Sequence, residues 1–226
     1  MRDPGLDEVI GAAGDGTLAG QVVISQSPAS NWHRVPSDET DAARAQEYAL
    51  LATLLRRAPD LDLLGLLAGH KGDESALGVV HAALAEAAGA ATVERLQREY
   101  FDLFVGIGRG ELAPYASYYL TGFLNDRSLA RLRDDLAGLG IERVETEVEP
   151  EDHAAIVCEI MAGLVSGSFD NPPGADRTLF ENHLSPWIGR FFADLERAKA
   201  ADFYRRVAAV GRVFVEIEAE AFAMTS

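Results

Sequence analysis

The chain has 226 residues, 48% hydrophobic and 25% charged, which is the composition of a folded globular protein and excludes a disordered or fibrous chain. Its 20 Lys+Arg stand against 36 Asp+Glu, a formal charge of −16, so no basic excess exists to track phosphates and nucleic acid is not an expected partner. The same field draws in a cationic ligand, peptide or protein patch.

Residues 1–36 read as an irregular arm. Gly5, Gly11, Gly14, Gly16 and Gly20 raise the ordering cost, with little apolar area to offset it. Val22, Val23 and Ile24 suit a short extended piece, and Trp32 suits docking onto the body. From Ser37 to the end, residues 37–226, the pattern is helical nearly throughout. SDET supplies an N-cap and an acidic first turn, and Tyr48, Leu51 and Leu55 follow at helical spacing until Pro59. Leu61–Ala68 and Leu77–Ala88 are short apolar helices. Thr92 caps a helix carrying Leu96, Phe101 and Phe104 that ends at Gly106. Pro114 opens another through Tyr118 and Tyr119, and Leu129, Leu132, Leu136 and Leu139 step by three and four.

The stretch 138–148, GLGIERVETEV, breaks the pattern and predicts a hinge between helical halves 37–137 and 149–226. A helix is predicted from Pro150 to about Gly167. NPPG (171–174) is a loop. Phe180, Leu184, Trp187, Phe191 and Leu195 mark the next helix, which Pro186 kinks or splits. Phe203, Val207, Val210, Phe214, Ile217 and Ala221 form the stripe of the last helix. The sum is an all-α domain of about ten helices.

The remaining composition bounds the chemistry. One cysteine, Cys158, excludes an internal disulfide and a thiolate metal cage and fits a reducing compartment. No run approaches the roughly 18 apolar residues of a membrane span, the best, Ala154 to Val165, being broken by Glu159. The N-terminus carries no basic-then-apolar leader pattern, so a cytoplasmic protein is expected. GIGRG (106–110) follows a helix rather than a strand and reads as a glycine turn, not a phosphate loop. The five histidines lack metal-ligand spacing, so no metal and no cofactor are expected.

EPEDH (149–153) stands apart. Proline at the first helical position with Glu151 and Asp152 in the first turn is ordinary helix-start chemistry. A second reading places Asp152 and Glu159, seven apart, on one helix face with Glu149 outside it, an acidic rim beside the His153 imidazole that could hold a guanidinium. A neutral His153 accepting a hydrogen bond from the ligand would then make affinity fall as pH drops through about 6.5. A third reading makes Asp152 and His153 an acid–base pair in an all-α enzyme or nucleotide-binding protein. An all-α regulator is disfavoured, since neither end supplies a basic helix-turn-helix.

Four ordered motifs carry a resemblance. YFDLFVG (100–106) with PYASYYL (114–120), EPEDH with Glu159 and Met161, FENHLSPW (180–187) and DFYRRVAAVGRVFVEIE (202–218) resemble those of the TorD/DmsD/NarJ family of cytoplasmic chaperones for molybdenum-containing redox enzymes. The resemblance implies a TorD-like helical fold, as a monomer or with halves exchanged in a homodimer. It also implies binding of the twin-arginine signal peptide of a molybdoenzyme precursor, held until cofactor insertion and export. Carried over by motif, the peptide-binding residues are Pro150, Asp152 and His153, then Tyr115, Ser117 and Tyr119, then His183 and Trp187. Glu149 and Glu159 complete the rim. A tucked indole with a satisfied N–H is the competing account of Trp187.

Overall fold

The computed structural model describes residues 24–26, 38–144 and 147–224. Most of the predicted arm, Val22, Val23 and Trp32 included, lies outside the described residues. Where helices begin, the local chemistry is the expected one. Asp38, Asp60, Ser75 and Thr92 each accept a backbone N–H from the first turn of α1 (Glu39–Arg56), α2 (Leu61–Gly69), α3 (Ala76–Ala90) and α4 (Val93–Tyr100). α4 continues as a π-helical turn, Phe101–Val105, and stops at Gly106, whose φ of +62° and a carbonyl 2.1 Å from any added Cβ demand glycine. GIGRG is therefore a turn.

After α5 (Ala116–Thr121) and α6 (Arg127–Gly138) comes β2, Ile141–Arg143, which pairs antiparallel with β1, Ile24–Gln26. Of the expected extended piece only Ile24 lies among the described residues, in β1, and its partner β2 lies within the stretch read as a hinge; Ile24 and Ile141 turn into the core. Within the predicted hinge, β2 is one anchor and Glu147 is another, bonded to Arg56 at 2.5 Å.

The centre of the fold is α7 (Ala154–Val165). It is apolar around nearly its whole circumference and is buried almost completely, as such a helix must be. α1 packs along it, and α10 (Phe203–Met224) packs on α9 (Ser185–Arg197) and α3. The two helical halves therefore share one core. α8 (Ala175–Leu179) leads through a second π-helical turn, Phe180–Leu184, into α9, with Pro186 in the first turn of α9, directly after the π-helical turn. The α10 amides of Phe203 and Tyr204, with that of Asp202, donate to the Glu99 carboxylate from α4, which satisfies the helix start.

Two expectations need correction. The last stripe holds through Phe214, but Ile217 and Ala221 face solvent and Glu218 is buried instead. Its carboxylate accepts from Arg44 Nε (2.7 Å), Arg44 Nη2 (2.9 Å) and Tyr48 Oη (2.9 Å), a set of partners on α1 that no reading of α10 alone could supply. The second correction concerns the start of α7, at Ala154 rather than Pro150. Its cause lies in the site.

Candidate functional site

The PYASYYL and EPEDH motifs meet through their backbones. Ala116 N donates to Asp152 O (3.0 Å) and Ala154 N to Pro114 O (2.8 Å), an isolated antiparallel bridge between Tyr115 and His153. Pro150 to His153 is a turn, closed by His153 N to Pro150 O at 3.0 Å. With Asp152 O and Ala154 N engaged across the chain, the helix starts no earlier than Ala154. His153 becomes its N-cap, Nδ1 accepting from Ala155 N at 3.1 Å.

This arrangement separates the two side chains of the motif. Asp152, 1% exposed, accepts from Ser117 N through Oδ2 (2.8 Å), while Oδ1 has no partner. It lines a cavity of about 550 Å³ between α5, α6 and the start of α9. Leu120, Leu132 and Pro186 give the cavity apolar surface, Asp134, Asp135 and Arg131 give it charge, and His183 adds an imidazole. His183 Nε2 sits 2.6 Å from Asp135 Oδ2. Ser128, buried with its Oγ unpartnered, lines the same space. A buried carboxylate oxygen and a buried hydroxyl without partners carry a desolvation cost that a donor in the cavity would relieve.

His153 belongs to another cluster. Its ring lies edge-on to Tyr115, centroids 5.1 Å apart, and Tyr115 Oη donates to Glu149 Oε2 at 2.6 Å. Burial, then the Glu149 carboxylate, pushes the Tyr115 hydroxyl well above its usual range. Arg56 binds Glu147 and, at 3.2 Å, Glu159. Asp152 and Glu159 thus do not share a helix face, because Asp152 precedes the helix and Glu159 turns to α1. Trp187 is wholly buried, its Nε1 donating to His183 O (2.7 Å) and its ring 5.7 Å from that of Tyr119. The structure therefore brings Asp152 and His183 to the cavity, while Ser117 is buried outside its lining and touches the site only through its amide to Asp152, and Trp187 is buried outside the lining as well. Tyr115, Glu149 and His153 lie together beyond the bridge.

Burial, and secondarily Arg56, lowers the His153 pKa to about 3. Unfolded, the imidazole titrates near 6.5, so between these values the unfolded chain binds the extra proton. Stability then rises with pH through that window and falls as pH drops below about 6.5, by up to about 1.4 kcal/mol per unit. Thermal melts at pH 7, 6 and 5 should show a declining midpoint. In His153→Asn, which keeps an N-cap acceptor, the decline should flatten. An equal decline in the variant would assign the acid sensitivity to other groups. The same shift removes His153 as the cause of any affinity change near pH 6.5.

α6 supplies what the sequence reading missed: Ser128, Arg131, Asp134 and Asp135. On that helix only the leucine stripe stood out, because an acidic pair outside the stripe has the look of ordinary solvated surface. Among the described residues, no group of three or more His, Cys, Asp or Glu side chains is placed to hold a metal ion. Cys158 is buried in α7, its thiol pushed up to about 12 by burial. No single helix among the described residues is long and apolar enough to cross a membrane.

The profile of the nitrate reductase delta subunit family matches residues 70–193, more than half of the chain and all of the cavity walls. The chain belongs to this family, that of TorD and NarJ. Among similar delta-subunit-family proteins, the chaperone protein TorD of Shewanella loihica is 25% identical over 210 residues, covering 81% of this chain and 96% of that protein. TorD of Vibrio cholerae is 27% identical over 130 residues, 54% of this chain and 59% of its own length. A crystal structure from Archaeoglobus fulgidus, of a protein assigned to redox enzyme maturation, superposes with a TM-score of 0.55 at 22% identity. It covers 76% of this chain and 93% of its own, a likeness of fold.

Proposed function

We propose that the chain is a cytoplasmic maturation chaperone. It binds the precursor of a molybdenum-cofactor oxidoreductase through its twin-arginine leader and holds it until cofactor insertion and export, with no chemistry of its own. The observation that carries this reading is Asp152, a buried carboxylate with one oxygen unpartnered in a cavity flanked by Asp134 and Asp135. A guanidinium offers five donors in a planar fork and is more weakly hydrated than an ammonium, so it suits an acidic site whose central carboxylate is buried. The leader's apolar segment has Leu120, Leu132 and Pro186 to rest on. The net charge of −16 speeds encounter with a basic peptide more than it sets affinity.

An acid–base pair of Asp152 and His153 finds less support. Each is engaged with a different backbone amide, and His153 stays neutral down to about pH 3. An exchanged dimer through residues 138–148 would have to rebuild the α1–α7 contact between protomers, since that contact joins the two halves.

Calorimetric titration of a synthetic twin-arginine leader into the chain tests the reading. Saturable one-to-one binding is expected, weakening as salt rises and lost when both arginines are glutamine. No binding, or equal binding of the glutamine peptide, would overturn it.

A further inference from the structure

The cavity at Asp152 does not end at Asp134 and Asp135. The same two residues form one wall of a second chamber of about 310 Å³, whose other walls are Leu139, Pro172, Pro173 and Leu179. One side of α6 thus faces an acidic space and then an apolar one, joined over a two-residue sill. The width of the second chamber depends on the chain's N-terminal segment. Gln26, in β1, accepts from Asp170 N through Oε1 (2.8 Å) and donates through Nε2 to Asp170 O (2.6 Å) and Leu139 O (2.9 Å). One amide side chain therefore bonds like a short strand to the segment leading into Pro172 and ties it to the end of α6. These are the two walls of the chamber.

We propose that this chamber is an apolar subsite of the peptide groove, taking an apolar side chain a few residues from the guanidinium held at Asp152, and that Gln26 is a positioning residue that sets its width. The inference rests on the leader reading above. What commits the occupant is continuity with the acidic cavity together with the change of lining. A peptide whose charge is met at Asp152 and Asp134 carries its neighbouring residues over the sill. Its apolar side chain then loses water against two prolines and two leucines. β1 thereby acquires a role that its composition did not reveal.

The test is fluorescence anisotropy with two labelled synthetic leaders, one natural in pattern and one with its apolar residues replaced by serine. Gly138→Leu narrows the chamber, where an added Cβ meets nothing within 4 Å, and Thr178→Trp narrows it from another wall. Both should weaken the apolar leader about tenfold and leave the weaker serine leader unchanged. Gln26→Ala should reduce the preference for the apolar leader without changing the loss caused by Asp152→Asn. Tight binding of the apolar leader by both narrowed variants, with Asp152→Asn still impaired, would overturn the subsite and spare the leader reading. No binding of either leader to the unmodified chain would overturn both.

Discussion

Glu218→Ala should destabilise the chain by about 3 kcal/mol or more, read as a lower urea midpoint at unchanged slope. The cause is what the substitution leaves behind. Arg44 loses its bidentate partner and Tyr48, fully buried, loses the acceptor of its hydroxyl. Removing one member of a buried pair commonly costs about 3–5 kcal/mol, because the remaining charge is stranded. Arg44 is about one-fifth exposed and keeps Asp41 and Asp176, which places the expectation at the lower end of that range. The reciprocal prediction sharpens it. Arg44→Met combined with Glu218→Met removes both charges and should recover part of the loss, as apolar replacement of whole buried pairs often does. A loss below about 1 kcal/mol would instead make the network equivalent to a surface ion pair.

Asp152→Asn should act on binding rather than on stability. Asparagine keeps a side-chain oxygen to accept from Ser117 N, and the variant removes a buried charge that is only half satisfied. The melting temperature should therefore hold or rise. If the carboxylate meets a guanidinium in the cavity, leader affinity should fall by roughly 2–5 kcal/mol, or about 30-fold and upward, the cost of truncating a desolvated pair. A plain capping role predicts the opposite pattern, with stability lowered by about 0.3–1 kcal/mol and affinity untouched.

The helical fold was legible because most apolar stripes repeat at three and four and the starts of α1 to α4 carry side-chain caps. Asp38, Thr92 and the Leu129–Leu132–Leu136 stripe all sit where that logic puts them. Legibility failed where partners come from far along the chain. The spacing of Asp152 and Glu159 suggested one face, but a backbone bridge to residues 114–116 stops the helix short of Asp152. Glu218 stood outside the predicted stripe of α10, yet Arg44 and Tyr48 on α1 bond it in the core. The site was half visible. EPEDH and His183 could be named from motifs, whereas Ser128, Asp134 and Asp135 become binding candidates only once α6 is laid beside Asp152. Trp187 stood out as the aromatic of the FENHLSPW motif, yet its N–H bond to the His183 carbonyl and its full burial match the tucked-indole account.

The most direct measurement is a double-mutant cycle across the proposed contact. Leaders with each arginine replaced by glutamine in turn are titrated into the unmodified chain and into Asp152→Asn. If Asp152 pairs with one of those guanidinium groups, the two losses will not add for that arginine. A coupling of about 1.5 kcal/mol or more is expected, as found for close charge pairs at interfaces. Strict additivity for both arginines, whatever the size of the single losses, would contradict the assignment.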